Sequence, residues 1–272
     1  MTAVEHPVAP TVVAAEARPP AASAVAASMA FAWRVLLKVK HVPEELGDAI
    51  GIPVVFTVLF TYLFGGALAG STSGYLQFLL PGTLVLAVVF LTVYSGVNVN
   101  SDLSTGTADR YRSLPISRSA LIVGGLIGDL GRYLLAAILV AGLGLAMGFR
   151  PPGGAVGVVA GIALAVGFAV ALSWPWVLLG LVLRTPRAVM SLGFAILFPI
   201  TFVSNVFVDP ATMPGWLQAF TDVNPISHLV TAERELMNGD AALGQAGWAL
   251  LAAALLTIVF APLAVHRYRT AG

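Results

Sequence analysis

The chain has 272 residues, 58% of them hydrophobic and 10% charged, where ordinary soluble domains carry about 25% charged residues. That composition excludes a soluble globular class and points to a polytopic helical membrane protein. The net charge of +1 names no partner, and the absence of cysteine excludes disulfides, thiolate metal sites and cysteine nucleophiles.

In chain order, residues 1–28 are rich in Ala, Pro and Val and carry Glu5, Glu16 and Arg18. They lack the basic start and continuous apolar run of a signal peptide and read as a disordered cytosolic tail. Residues 29–46 (MAFAWRVLLKVKHVPEEL) follow. Phe31, Val35, Leu36 and Val39 share a helical face there, with Arg34, Lys38 and His41 around it. This suits a helix lying in the cytosolic membrane interface and broken at Pro43.

Six apolar segments come next, at about 49–69, 75–97, 120–148, 155–183, 188–207 and 248–266. Each meets the need for about 20 apolar residues per crossing. Only helices satisfy their own backbone in lipid, so all six are expected to be α-helical. Arg34, Lys38 and Lys40 precede the first segment; Arg110, Arg112 and Arg118 separate the second and third; Arg184 and Arg187 separate the fourth and fifth; Arg267 and Arg269 follow the sixth. The alternate loops hold only Arg150 and Arg234, with Asp209, Asp222, Glu233, Glu235 and Asp240. The positive-inside rule therefore places both termini in the cytosol.

Small residues recur at helix-packing spacing: Gly124 and Gly128, Gly144 and Gly148, then Gly153, Gly157 and Gly161. Asp129 and Arg132 are the main charges inside a segment. Their i,i+3 spacing lets them pair; the pair is either structural or part of an ion-coupled path. Between the fifth and sixth segments, residues 208–247 are too long for a simple connector and too amphipathic for a solvated loop. Pro214 opens one short helix (PGWLQAF). Asn224, as N-cap, and Pro225 open another (PISHLVTAEREL). Trp216, Leu217, Phe220, Leu229 and Val230 give these helices apolar faces, which suit either an outer gate or an aromatic anchor at the membrane surface.

Residues 101–118 (SDLSTGTADRYRSLPISR) form a polar, Arg-bearing loop between two apolar segments. No enzymatic cluster accompanies it. The only lysines, Lys38 and Lys40, do not follow glycine, so there is no phosphate-binding loop. His6, His41, His228 and His266 lack metal-ligand spacing, and there is no Gly-x-Ser-x-Gly element. The basic residues sit at membrane borders, which argues against nucleic acid. A membrane protein with one cytosolic docking loop and no catalytic set reads as a transport subunit driven by another protein. The competing reading is an ion-coupled secondary carrier that uses Asp129.

Three stretches resemble the ABC-2 family of ABC exporter permeases, daunorubicin-resistance (multidrug efflux) type: Thr105–Arg132 with its Asp109–Pro115 element, Phe78–Leu84 (FLLPGTL), and Ser204–Leu229 with its Asn224–His228 element. With Ala30–Leu46, the resemblance covers nearly the whole chain after the tail. It implies an all-α bundle of six transmembrane helices in the plasma (inner) membrane, an interfacial N-terminal helix and short re-entrant outer helices between the fifth and sixth spans. It implies two permease subunits, either identical copies or two related chains, and two separate P-loop ATPase subunits that hold ATP and Mg; this chain would bind no cofactor or metal. The loop between the second and third spans would carry the helix that docks on the ATPase, which maps to Thr105, Asp109, Arg110, Arg112 and Leu114. Trp216, Phe220, Asn224, Pro225 and His228 map to the outer gate. Ser104–Asp109 departs from the Glu-Arg-Gly-Thr-Leu-Glu pattern of many relatives and favours the drug-resistance branch. The implied cargo is hydrophobic or amphipathic, a drug or a lipid, with export to the outside.

Overall fold

The computed structural model describes residues 23–41, 44–107 and 120–270. Among these residues the elements are all helical. They are α1 (Ala24–His41), α2 (Glu44–Ala69), α3 (Thr72–Leu91), α4 (Val93–Ser104), α5 (Ala120–Met147), α6 (Gly154–Val182), α7 (Pro186–Phe202), α8 (Gly215–Val223), α9 (Pro225–Asn238) and α10 (Leu243–Thr270), with a 3₁₀ turn at Pro210–Thr212.

Among the described residues, five stretches are long and apolar enough to cross a membrane: Gly51–Ala69, Thr72–Ser104, Leu121–Met147, Gly154–Val182 and Leu243–Thr270. The outside of the bundle is apolar, as lipid requires. On α10, Leu250, Leu251, Leu255, Ile258, Val259 and Leu263 are all exposed. The fifth expected segment is shorter than the sequence suggests. α7 has 17 residues, about 25 Å of helix at 1.5 Å per residue, and stops at Phe202 rather than Phe207. Its last turn is captured from outside. Asn224 Nδ2 donates to the Ile200 and Val203 carbonyls at 2.7 and 3.3 Å, and these bonds satisfy carbonyls the helix end leaves orphaned.

The second segment is longer than expected and forms the axis of the bundle. α3 and α4 together run 33 residues, and every residue from Leu79 to Leu91 is buried. The break at Thr92 has a local cause. Thr92 Oγ1 donates to the Val89 carbonyl at 2.6 Å and accepts Trp176 Nε1 of α6 at 2.9 Å. This side chain competes with the backbone ladder. Helix ends elsewhere follow ordinary capping chemistry. Ser71 and Thr185 accept from Gly74 N and Ala188 N at 3.0 and 3.2 Å. Gly148 ends α5 with φ +103°, a conformation suited to glycine.

Glycines set the closest crossings. A Cβ on Gly96 of α4 would fall on the Trp176 carbonyl of α6, and one on Gly180 of α6 would fall on the Gly96 carbonyl. Gly124 and Gly128 of α5 receive α1 at Ser28, Phe31, Ala32 and Val35. Gly153, which caps α6, and Gly157 and Gly161 within it receive the end of α9 from Glu233 onward and its cap Gly239. α1 begins at Ala24, five residues before the expected start, because Ala27, Ser28, Phe31 and Ala32 bury against α5.

Candidate functional site

The end of α4 carries the base of the polar loop. Asp102 is gripped by Arg34 of α1, whose Nη1 and Nη2 donate to its two carboxyl oxygens at 3.1 and 2.7 Å. Asn100 Nδ2 donates to the Gly180 and Leu183 carbonyls at 2.8 and 2.6 Å, fixing α4 to the end of α6. Thr105 Oγ1 donates to the Ser101 carbonyl at 2.9 Å and lies 2.9 Å from Thr107 Oγ1. A polar cavity of about 250 Å³ opens here, lined by Arg34, Asn98, Ser101, Asp102, Thr105 and Thr107. Of the five residues mapped to ATPase docking, Thr105 is placed at this base. Asp109, Arg110, Arg112 and Leu114 lie outside the described residues, as does the tail up to residue 22.

Deeper in the bundle, Arg132 Nη1 lies 3.1 Å from Asp129 Oδ1, both side chains almost wholly buried. The pair is embedded in a hydroxyl chain that the sequence did not reveal. Ser95 Oγ of α4 donates to Asp129 Oδ2 at 2.6 Å. Tyr133 Oη sits 2.9 Å from Ser95 Oγ and 2.7 Å from Ser173 Oγ of α6. Each hydroxyl has one proton and can also accept. Ser95 gives its proton to Asp129 and so accepts from Tyr133, while Ser173 Oγ donates to the Ala169 carbonyl at 2.7 Å and closes the chain beside Tyr133. The Arg132 guanidinium also lies 5.4 Å from the Tyr94 ring centre. This arrangement ties α4, α5 and α6 at one level.

The residues mapped to the outer gate divide into two groups. Trp216 and Phe220 on α8 are exposed, at 75% and 42%. Asn224 is buried: its Oδ1 accepts from Ile226 N at 3.0 Å, capping α9, while its Nδ2 holds the end of α7. Pro225 opens α9. His228 contacts Gln245 Oε1 at 2.7 Å and the Asp222 carbonyl at 2.9 Å and stacks on Trp248. It borders an apolar groove of about 630 Å³ between the α8–α9 junction and α10, with Trp248, Leu251, Leu255 and Val259 on its wall.

α9 packs into the bundle: Leu229 and Val230 are fully buried. Two charges that read as loop residues go inward with it. Arg234 Nε donates to the Phe78 carbonyl at 2.9 Å, and its Nη2 donates to the Asn205 and Val206 carbonyls at 2.7 and 3.2 Å. Its guanidinium sits 3.7 Å over the Phe78 ring. Burial lowers its pKa to about 9, against the opposing pull of Asp209 and Tyr75, so it stays charged at neutral pH. Glu233 is fully buried against α6. A signal for this existed in the sequence. Ile226, Leu229, Val230, Glu233 and Met237 repeat at three- and four-residue steps and form one helix face.

The ABC-2 type transporter family model matches residues 27–238. The chain is 46% identical, over 95% of its length and 92% of the relative's, to the daunorubicin resistance ABC transporter permease protein DrrB1 of Streptomyces coeruleorubidus. It is 27% identical, over 66% of its length and 62% of the relative's, to the doxorubicin resistance ABC transporter permease protein DrrB of Mycobacterium tuberculosis. The inner membrane transport permease YadH of Escherichia coli is 26% identical over 59% of this chain and 62% of its own length. An all-helical bundle with an apolar exterior, matched along nearly its whole length in this way, belongs to the ABC-2 type transporter family.

Proposed function

We propose that this chain is the membrane-spanning permease subunit of an ATP-driven exporter for hydrophobic or amphipathic compounds. The observation that carries this reading is the likeness, along 95% of the chain, to a permease of a daunorubicin resistance transporter. Its working form pairs two permease subunits with two P-loop ATPase subunits in the plasma membrane, surrounded by lipid. α7 completes six crossings and both termini lie in the cytosol, in keeping with the arginines and lysines that flank every second loop. α8 and α9 enter and leave on the outer side, and the groove beside His228 and Trp248 supports an exit path for greasy cargo.

The polar loop 101–118 receives the ATPase, with Thr105, Asp109, Arg110, Arg112 and Leu114 at the contact. Three features support this assignment. The base of the loop is clamped by Arg34 and Asp102, anchored by Asn100 and continuous with the axial helix. Force applied to the loop therefore reaches the bundle through rigid connections rather than through a slack tether. ATP-driven motion shifts the bundle between inward- and outward-open states in proportion to the difference in docking energy between them.

The test is R110A/R112A in the assembled complex. Insertion and permease yield stay at wild-type level, while recovery of the ATPase with the permease and ATP-dependent efflux both fall at least tenfold. Normal efflux with normal complex yield sinks the coupling assignment.

A further inference from the structure

α9 is held in the bundle by two adjacent side chains in opposite situations. Arg234 is surrounded by acceptors. Glu233 is 0% exposed, and neither of its carboxyl oxygens has a hydrogen-bond partner among the described residues. The carboxyl presses on the open face of Gly161 in α6, where any Cβ would collide with Oε2, and Met237 lies alongside. The glycine stripe Gly153, Gly157 and Gly161 thus forms a slot into which α9 fits, with the Glu233 carboxyl at its deep end.

Among the described residues, the surroundings offer this carboxyl no compensating charge. α6 carries no titratable side chain along its whole length. α3 offers only Tyr75, whose hydroxyl donates to the Phe207 carbonyl at 2.8 Å. α10 has titratable groups only from His266 onward, α7 only Arg187, and α8 only Asp222. On α9, His228 is engaged with Gln245 and the Asp222 carbonyl, Arg234 with three carbonyls, and Glu235 lies outside the slot at lower burial. A carboxylate sealed from water without a partner takes up a proton rather than remain charged. Burial alone pushes this group up to about 8.

We propose that Glu233 is a proton-binding site that latches α9 onto α6. The carboxylate takes one proton from the adjoining aqueous phase as α9 seats in the glycine slot and returns it to water as α9 lifts out. One O–H bond forms and later breaks, and no other reactant takes part. Acid medium on that side favours the seated arrangement and alkaline medium favours release. The inference goes beyond the exporter reading and does not depend on it.

The test is an infrared pH titration of the full chain in lipid nanodiscs, wild type and E233Q. The expected result is a protonated-carboxyl carbonyl band worth one group at neutral pH in the wild type, lost on titration through about 8 and missing in E233Q. Thermal unfolding follows the same proton. In the unfolded chain the group ionises near 4.5, so between that pH and about 8 only the folded state keeps the proton. Wild-type stability falls as pH rises through this window and levels off above it; in E233Q this slope disappears. No such band in the wild type at neutral pH, an unchanged band in E233Q, or parallel stability curves for the two proteins would overturn the proposal. If E233Q does not fold, the wild-type band and its titration decide alone.

Discussion

Replacing Arg234 tests how the connection between α7 and α10 is fastened to the axial helix. Arg234 gives two well-placed charge-assisted hydrogen bonds, at 2.9 and 2.7 Å, and a longer third at 3.2 Å. Each good bond to a charged group contributes about 1.5–3 kcal/mol, and the Phe78 contact adds about 0.5–2 kcal/mol. These contributions do not sum, because the side chain is only partly shielded and water can replace some of the lost bonds. R234A is therefore expected to cost about 3 kcal/mol. For a chain of this size that lowers the thermal midpoint by roughly 6–12 °C. R234K keeps the charge but loses the planar fork and should cost about half as much. The assay is the unfolding midpoint of purified permease in detergent. A loss under about 1 kcal/mol for R234A, or equal losses for the two variants, would refute the role given to the fork.

Three further outcomes follow from the packing. G157A should cost about 1–3 kcal/mol by overpacking, since its methyl meets the Leu236 carbonyl of α9, whereas G167A has open space and should be neutral or gain up to about 1 kcal/mol from helix propensity; paired melting curves separate them. D129N removes the ion-pair contact that Asp129 gives the buried Arg132 charge and should cost about 3–5 kcal/mol, with D129N/R132M recovering much of the loss; a double-mutant cycle by melting measures the coupling. D102N breaks a partly exposed pair and should change stability by less than about 1 kcal/mol while lowering ATP-dependent efflux, which is read in inverted vesicles.

Composition and apolar length made the helical membrane class legible, because lipid admits so few backbone solutions. Gly124, Gly128, Gly153, Gly157 and Gly161 announced close crossings, and the structure names their partners as α1 and α9. Asn224 was legible as an N-cap because a side-chain oxygen before proline and an apolar helix face is a local signal. Its second bond to the end of α7 was not, since nothing in residues 200–203 marks a carbonyl awaiting a distant amide. The same limit hid the chain of Ser95, Tyr133 and Ser173, which are single hydroxyls on three helices joined only by tertiary packing. Glu233 and Arg234 were misplaced for a different reason. The sequence puts both on the helix opened by Pro225, but charge counting does not show which face of α9 turns into the bundle and carries them inward. The end of α7 lies earlier than the apolar pattern suggests because Val203, Val206 and Phe207 extend that pattern past the helix despite Ser204 and Asn205; Val203 already lies past the last helical residue.

The most direct test of the permease assignment is to isolate this chain from its native membrane in mild detergent and identify the proteins that come with it by mass spectrometry. A P-loop ATPase in equal amount, retained through purification and lost in R110A/R112A, is the expected result. Clean recovery of the chain without any ATPase, repeated after gentle cross-linking, would contradict it.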